Sequence, residues 1–317
     1  MAEIGTDLEK AQRLLREGEL VAIPTETVYG LAGNALSAAT VARIFEVKER
    51  PSFDPLIVHT TDIARASHYV AAFPAKANQL AHRFWPGPLT LVLPRKNIIP
   101  DLVTSGLDTV GIRCPQHALT QQLLAALDFP LAAPSANPFG YISPTRPEHV
   151  NEQLGDRIAY ILDGGACTVG IESTIVGFRD AQPVVYRMGG LSIEQIEETL
   201  GPVDTLLHSS SNPQAPGQLK SHYAPRKKLT VGHLPDLLPT LGAKNYAVLS
   251  FREDRGLPHQ YILSPSGNLS EAAQHLFTAL RVLDQLPVDG IVAEWVPNTG
   301  LGRAINDRLA RAAAQRD

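Results

Sequence analysis

From residue 229 onward the chain alternates apolar runs with amphipathic runs one for one, and before residue 201 it does not. In the later stretch "KLTVGHL", "YAVLSF" and "GIVAEWV" read as strands, interleaved with helices expected near 234–241, 269–286 and 300–315. In "LSEAAQHLFTALRVLDQL" the positions Leu269, Ala273, Leu276, Leu280 and Leu283 make one stripe at helical spacing. Strict alternation of this kind builds β–α–β units, so residues 229–317 are expected to form a small Rossmann-like domain with a mostly parallel sheet. Residues 1–201 hold more strand-like runs than helical ones, among them "ELVAIPT", "PLIVH", "LTLVLP", "TVGIRCP", "IAYILDGG", "STIVGF" and "PVVYRMGG". Several are apolar throughout, as strands covered on both faces are. The expectation there is a large domain with a mixed, twisted sheet flanked by helices, α/β or α+β in class. Between the two parts, residues 202–228 are rich in Ser, Pro and Asn and have no periodicity, which marks a linker. Within it lies "PGQLKSHYAP", whose Lys, His and aromatic content suits a segment folded back over a site.

A chain of 317 residues, 44% hydrophobic and 19% charged, is long enough to bury two cores. Its formal charge of −4 argues against a generally basic nucleic-acid coat and leaves room only for a local basic groove. The N-terminus has no basic stretch leading into an apolar core, and no uncharged apolar run approaches ~18 residues. A cytoplasmic, soluble protein without a membrane partner is expected. Cys114 and Cys167 stand far apart with no CxxC companion, so both are expected as small buried apolar residues.

Thr6 and Glu9 suggest a capping box for a first helix that Gly18 would end. A second helix, with Ser37 as N-cap and Val41, Ile44 and Phe45 on its apolar side, must stop by about Arg50, because Pro51 forces Arg50 out of the helical region. Once the chain is extended, Lys48 and Arg50 point the same way. They then suit an anion with several oxygens, or simply form a solvated loop. The P-loop pattern, HExxH and GxSxG are absent, and "LDGGACTVG" does not fit GxGxxG. What remains is polar residues at strand ends, where ligands of sheet proteins gather: Thr25, Thr27 and Tyr29; Thr109 and Arg113; Ser135, Asn137 and Ser143; Ser173 and Thr174; Arg187. Taken singly, a Ser or Thr at a strand end is usually a turn or cap, each Arg reads equally as an ion-pair member, and His59 is more often a satisfied core or surface residue than a catalyst. Together, four cations and no strong nucleophile favour a polyanionic ligand.

The motifs "PTETVYGL", "KERPSFDPLIVH", "VGIRCP", "APSAN", "ESTIV", "YRMGG" and "PGQLKSHYAP", in this order and over nearly the whole chain, resemble the YrdC-like threonylcarbamoyl-AMP synthases in their long two-domain form. The resemblance implies that L-threonine, bicarbonate and ATP are converted to threonylcarbamoyl-AMP and pyrophosphate, with Mg2+ arriving with the ATP. It implies a separate tRNA threonylcarbamoyl transferase downstream, and leaves direct tRNA contact open. By the same resemblance Lys48 and Arg50 look like catalytic, phosphate-binding cations. Thr27, His59, Arg113 and Ser173 look like the threonine pocket. Arg50, Thr109, Ser135, Asn137, Ser143 and Arg187 look like the nucleotide side, and Tyr223 like a lid contact. In these terms residues 1–201 are the catalytic domain, 202–228 the lid and 229–317 the C-terminal domain.

Two positions depart from the family pattern: Asp54 stands where Asn is usual, and Gln218 follows Pro216-Gly217 where Met is common. A carboxylate beside a triphosphate would repel it unless it pairs with Arg50 or meets magnesium. Two other readings compete. Related domains make a carbamoyl-adenylate, but in chains with Cys clusters that this one lacks. A structured-RNA-binding module would use the same cations on a concave surface.

Overall fold

The computed structural model describes residues 1–207, 215–216, 222–241 and 245–314. Among them eleven strands form one mixed sheet: β1 (Glu3–Gly5), β2 (Val21–Ile23), β3 (Gly30–Asn34), β4 (Ile57–His59), β5 (Leu89–Pro94), β6 (Thr109–Arg113), β7 (Leu131–Ala132), β8 (Tyr160–Leu162), β9 (Thr174–Arg179), β10 (Gln182–Arg187) and β11 (Asp204–Thr205). Their order across the sheet is β1-β8-β2-β3-β7-β4-β6-β5-β9-β10-β11. The pair β4–β6 is parallel and β5–β6 antiparallel, so the sheet is mixed at its centre as the sequence led us to expect.

Both faces are covered. On one, α1 (Leu8–Arg16) and α6 (Ala118–Ala126) bury Ala11, Leu15, Leu123 and Leu124 against Val21, Ile23 and Leu162. The main core on the other takes Val41 and Ile44 from α2 (Ala38–Lys48), Leu80 from α4 (Ala75–Phe84), Val150 from α7 (Pro147–Leu154) and Ile196 from α8 (Ile193–Leu200). Two short helices, α3 (Ile63–Ala66) and α5 (Asp101–Thr104), fill connections. The α1 cap is Asp7, not Thr6: its carboxylate accepts from Lys10 N at 2.9 Å. An anion gains from the helix N-terminal dipole as well as from the hydrogen bond, so Asp7 outcompetes the neutral hydroxyl before it. Helix α2 starts as expected, with the Ser37 hydroxyl accepting from Thr40 N. It ends at Lys48 because Glu49 turns left-handed, at φ 53°, and Pro51 cannot continue it.

The second sheet is wholly parallel: β12 (Leu229–Gly232), β13 (Tyr246–Ser250), β14 (Gln260–Ile262) and β15 (Gly290–Glu294), in the order β12-β15-β13-β14. The short α9 (Leu234–Leu237) covers one face, burying Leu234 against Val248 and Val292. On the other, α10 (Leu269–Gln285) and α11 (Leu301–Ala313) lie between this sheet and the large one. Their core runs on into Val28, Ile142, Ile171 and Tyr223 of the first region. The edge strands β1 and β14 carry no apolar alternation, and the sequence did not announce them. Among the described residues no helix is long and apolar enough to cross a membrane. Cys114 and Cys167 are buried and free.

Candidate active site

His59 ends β4, Arg113 ends β6 and Arg187 ends β10, while Ala133 follows β7 and Ser173 precedes β9. The register sets His59 against Arg113 and Arg113 against Thr90, so these ends meet at one rim of the sheet. Together with Val28, Arg50, Pro55, Ile57, Pro134, Ser135, Glu172, Pro216, His222 and Tyr223 they line a cavity of about 530 Å³, its open mouth included.

Arg113 is only 4% exposed and pairs with Glu26 at 2.8 Å. Beside it the hydroxyls of Ser173 and Thr90 share a hydrogen bond of 2.8 Å. The His59 Nδ1 lies 3.1 Å from the Ile57 carbonyl. Burial first, and the Arg113 charge second, pull the His59 pKa down to about 3, so the ring is neutral. Thr27 does not reach the cavity. Its hydroxyl is tied to Thr25 Oγ1 at 2.9 Å, and Thr25 Oγ1 also lies 2.6 Å from the Val28 carbonyl. That knot sets Val28 on the wall.

Arg50 donates to the carbonyls of Asp54 (3.0 Å) and Pro55 (2.8 Å), pairs with the Asp54 carboxylate at 2.9 Å and lies over the Phe139 ring. Of the two outcomes open to Asp54, the structure shows the arginine pair. Arg187 donates to the Ser173 carbonyl from Nε (3.1 Å) and a terminal nitrogen (2.9 Å), and to Pro216 O at 3.4 Å. Lys48 is not in the lining. Its ammonium donates to the carbonyls of Ser135 and Asn137, both at 2.5 Å, and so clamps the loop after β7 onto the end of α2. Burial, then the Arg50 charge, hold it well below the usual lysine pKa.

Three more expected residues stand behind or beside the cavity. The Asn137 amide donates to the carbonyls of Pro138 and Tyr141, both at 2.9 Å, while its buried Oδ1 has no partner. Ser143 Oγ donates to Glu172 Oε1 at 2.5 Å. Thr109 opens β6, about 13 Å from Arg113 at strand spacing. It shares a face of the strand with Arg113, one pleat beyond the Ile57–Gly111 pair, but lies outside the lining.

The roof comes from the segment expected to fold back. Tyr223, at φ 65° and 1% exposed, stacks on Phe277 of α10 with ring centres 5.7 Å apart, and the Arg308 guanidinium of α11 sits 4.9 Å from its ring. His222 meets both Phe139 and Tyr223 edge-on. Arg308 also donates to Glu172 Oε2 (2.8 Å) and to the Met188 carbonyl (2.8 Å). Burial would raise the Glu172 pKa, but Arg308, Arg187 and the Ser143 hydroxyl bring it below the ordinary value. Gln218 lies outside the described residues.

Sequence reasoning passed over Glu26, Thr90, Glu172 and Arg308, and met His222 only as the His of the segment expected to fold back. Glu26 and Glu172 sit inside "PTETVYG" and "GIEST", and the signal for them was that buried arginines need acids. Arg308 had no local signal.

The family model described as telomere recombination, covering the Sua5, YciO and YrdC proteins, matches residues 13–189. The one described as threonylcarbamoyl-AMP synthase, C-terminal domain, matches residues 191–314. A threonylcarbamoyl-AMP synthase of Bacillus subtilis is 42% identical over 323 residues, spanning 98% of this chain and 93% of that protein. One of Pyrococcus abyssi is 40% identical over 322 residues, spanning 96% and 94%. The crystal structure of P. abyssi Sua5 complexed with L-threonine matches with a TM-score of 0.93 at 37% identity, over 98% of this chain and 97% of that one. The chain therefore belongs to the threonylcarbamoyl-AMP synthase family, in its two-domain form.

Proposed function

We propose that this chain joins L-threonine, bicarbonate and ATP into threonylcarbamoyl-AMP, releasing pyrophosphate. The observation that carries the reading is one cavity holding three arginines, hydroxyls between them and no activated nucleophile. Arg113 takes the threonine carboxylate, the Ser173–Thr90 pair faces the substrate hydroxyl, and neutral His59 and the Thr27 turn close that end. The threonine amine adds carbon dioxide derived from bicarbonate to give a carbamate. A carbamate oxygen then attacks the α-phosphorus in line, and pyrophosphate leaves. Arg50 and Arg187 neutralise the phosphates while Lys48 holds the loop that carries Ser135 and Asn137, with Thr109, Ser135, Asn137 and Ser143 on the nucleotide side and Tyr223 as roof. Such a displacement needs alignment and charge stabilisation rather than covalent catalysis.

Magnesium would come with the nucleotide. The carboxylates lining or flanking the cavity, Asp54, Glu172 and Glu26, are each paired with an arginine. Among the described residues no group of three ligating side chains converges, which fits an ion held mainly by phosphate and water. In this reading the enzyme works in the cytoplasm, and a separate transferase carries the threonylcarbamoyl group to a tRNA adenosine. The RNA-binding alternative has less support: Lys48, Arg50, Arg113 and Arg187 are 1%, 9%, 4% and 5% exposed, too deep to meet a phosphate backbone. Any tRNA contact would fall on another face.

The test is pyrophosphate release with threonine and bicarbonate each present or omitted. Release is expected only with both. Arg113→Ala should lower kcat/KM for threonine about 100-fold while ATP binding changes little. Release indifferent to threonine would sink the assignment.

A further inference from the structure

Arg50 already has an anion. Asp54 has no exposed surface, and its Oδ2 lies 2.9 Å from the Arg50 guanidinium. Neither Asp54 carboxylate oxygen has a hydrogen-bond partner, because the well-formed bonds of Arg50 go to the carbonyls of Asp54 and Pro55. The carboxylate is thus held by charge alone, with its lone pairs idle. Arg50 faces it from its own turn, Lys48 from the end of α2 and Arg187 from the end of β10. Beyond Arg50 stand Tyr223 and His222 of the roof.

A triphosphate laid on Arg50 and Arg187 would bring several negative charges against this carboxylate, which is itself buried out of contact with water. Like charges crowded into a buried site do not all stay ionised. We propose that Asp54 takes up one proton from solvent as ATP binds, so that the carboxylate becomes a neutral carboxyl whose O–H donates to a phosphate oxygen. The inference rests on the reading of this cavity as the ATP site. A repulsive neighbour then becomes a donor, and Arg50 is released to the phosphates. Burial already raises the Asp54 pKa above the ordinary aspartate value, so the uptake starts from a favourable point. The sign follows: ATP affinity is greatest at low pH and falls as pH rises toward the pKa of the bound state.

Calorimetric titration with Mg-ATP at about pH 8, in two buffers of different ionisation enthalpy, counts the protons. The wild-type protein should take up about one per ATP, and its affinity should fall as pH rises above about 7.5, where ATP itself does not titrate. The isosteric Asp54→Asn should take up none and show a flat profile. Wild-type binding without proton uptake overturns the inference by itself and needs no variant; it would leave Asp54 ionised against the nucleotide. Uptake that persists in Asp54→Asn also overturns it, placing the proton on another group held below its ordinary pKa by burial, Lys48 or His222. If folded wild-type protein does not bind Mg-ATP at all, the reading of the cavity fails and takes this inference with it.

Discussion

The small sheet has four strands of three to five residues, all parallel, with helices packed on both faces. Strands of the large sheet run from two to six residues and pair in both senses. Every described residue that lines the cavity comes from the large sheet's rim or is one of Pro216, His222 and Tyr223, and none comes from beyond Tyr223. What the C-terminal domain contributes sits one layer back. Phe277 lies under Tyr223, Arg308 joins Tyr223 to Glu172, and Arg281 donates to the Ile142 and Ser143 carbonyls. A regular α/β unit offers stiff helix faces and so serves as backing. Short strands of mixed direction offer many chain reversals in one place, where polar side chains can converge.

Removing the strongest link between the two regions should have the largest effect. Arg308→Ala leaves Glu172 buried without its guanidinium and is expected to cost about 3–5 kcal/mol of stability, read by urea unfolding. It should also raise the KM for ATP, because Tyr223 loses part of its seat. Lost stability with an unchanged KM would reduce the C-terminal domain to an appendage.

Acid should separate the regions next. His59 has a folded pKa of about 3 against ~6.5 when unfolded, so the unfolded chain binds a proton that the folded one refuses. Stability is full above pH ~6.5 and falls as pH drops; by pH 5 His59 alone removes about 2 kcal/mol. His222, held well below its ordinary pKa by burial and then by Arg50, adds in the same direction. In the small domain His233 is exposed and His259 and His275 are half-buried. Hydrogen exchange at pH 5 should therefore speed up first in β4 and β6 and around His222. Equal acceleration in β13 and β15 would contradict the contrast. The smallest effect belongs to Asn268→Ala, which removes the side-chain cap of α10. It should cost about 1 kcal/mol and leave both KM values unchanged. A kinetic change as large as that of Arg308→Ala would mean that any disturbance of the domain reaches the site.

The two regions also differ in how they read from sequence. Helices expected at 269–286 and 300–315 are found at Leu269–Gln285 and Leu301–Ala313, because their stripes are long and periodic. Yet nothing there announced a function. Arg308 looks like one more charge on a solvated helix face, and its long-range partners Glu172, 136 residues away, Met188 and Tyr223 are what bury it. In the large region boundaries were poorer: "ELVAIPT" keeps only Val21–Ile23 as strand. Its polar residues were nonetheless legible, since prolines and glycines mark the strand ends that carry them. Several, such as Lys48 and Ser143, proved to hold the wall rather than form it. Pattern reveals where a side chain emerges, while its partner across the fold decides which way it turns.

Arg308 also bears on whether the molecule can be shortened. A gene fragment ending at residue 207 would encode all eleven strands of the large sheet and so look like a complete module. Its product would carry a Glu172 carboxylate sealed against Ser143 with no guanidinium from α11 to answer it. The seam between modules therefore does not fall where the pattern changes but runs through that ion pair. Anyone trimming the enzyme to one domain would have to redesign position 172 along with the cut.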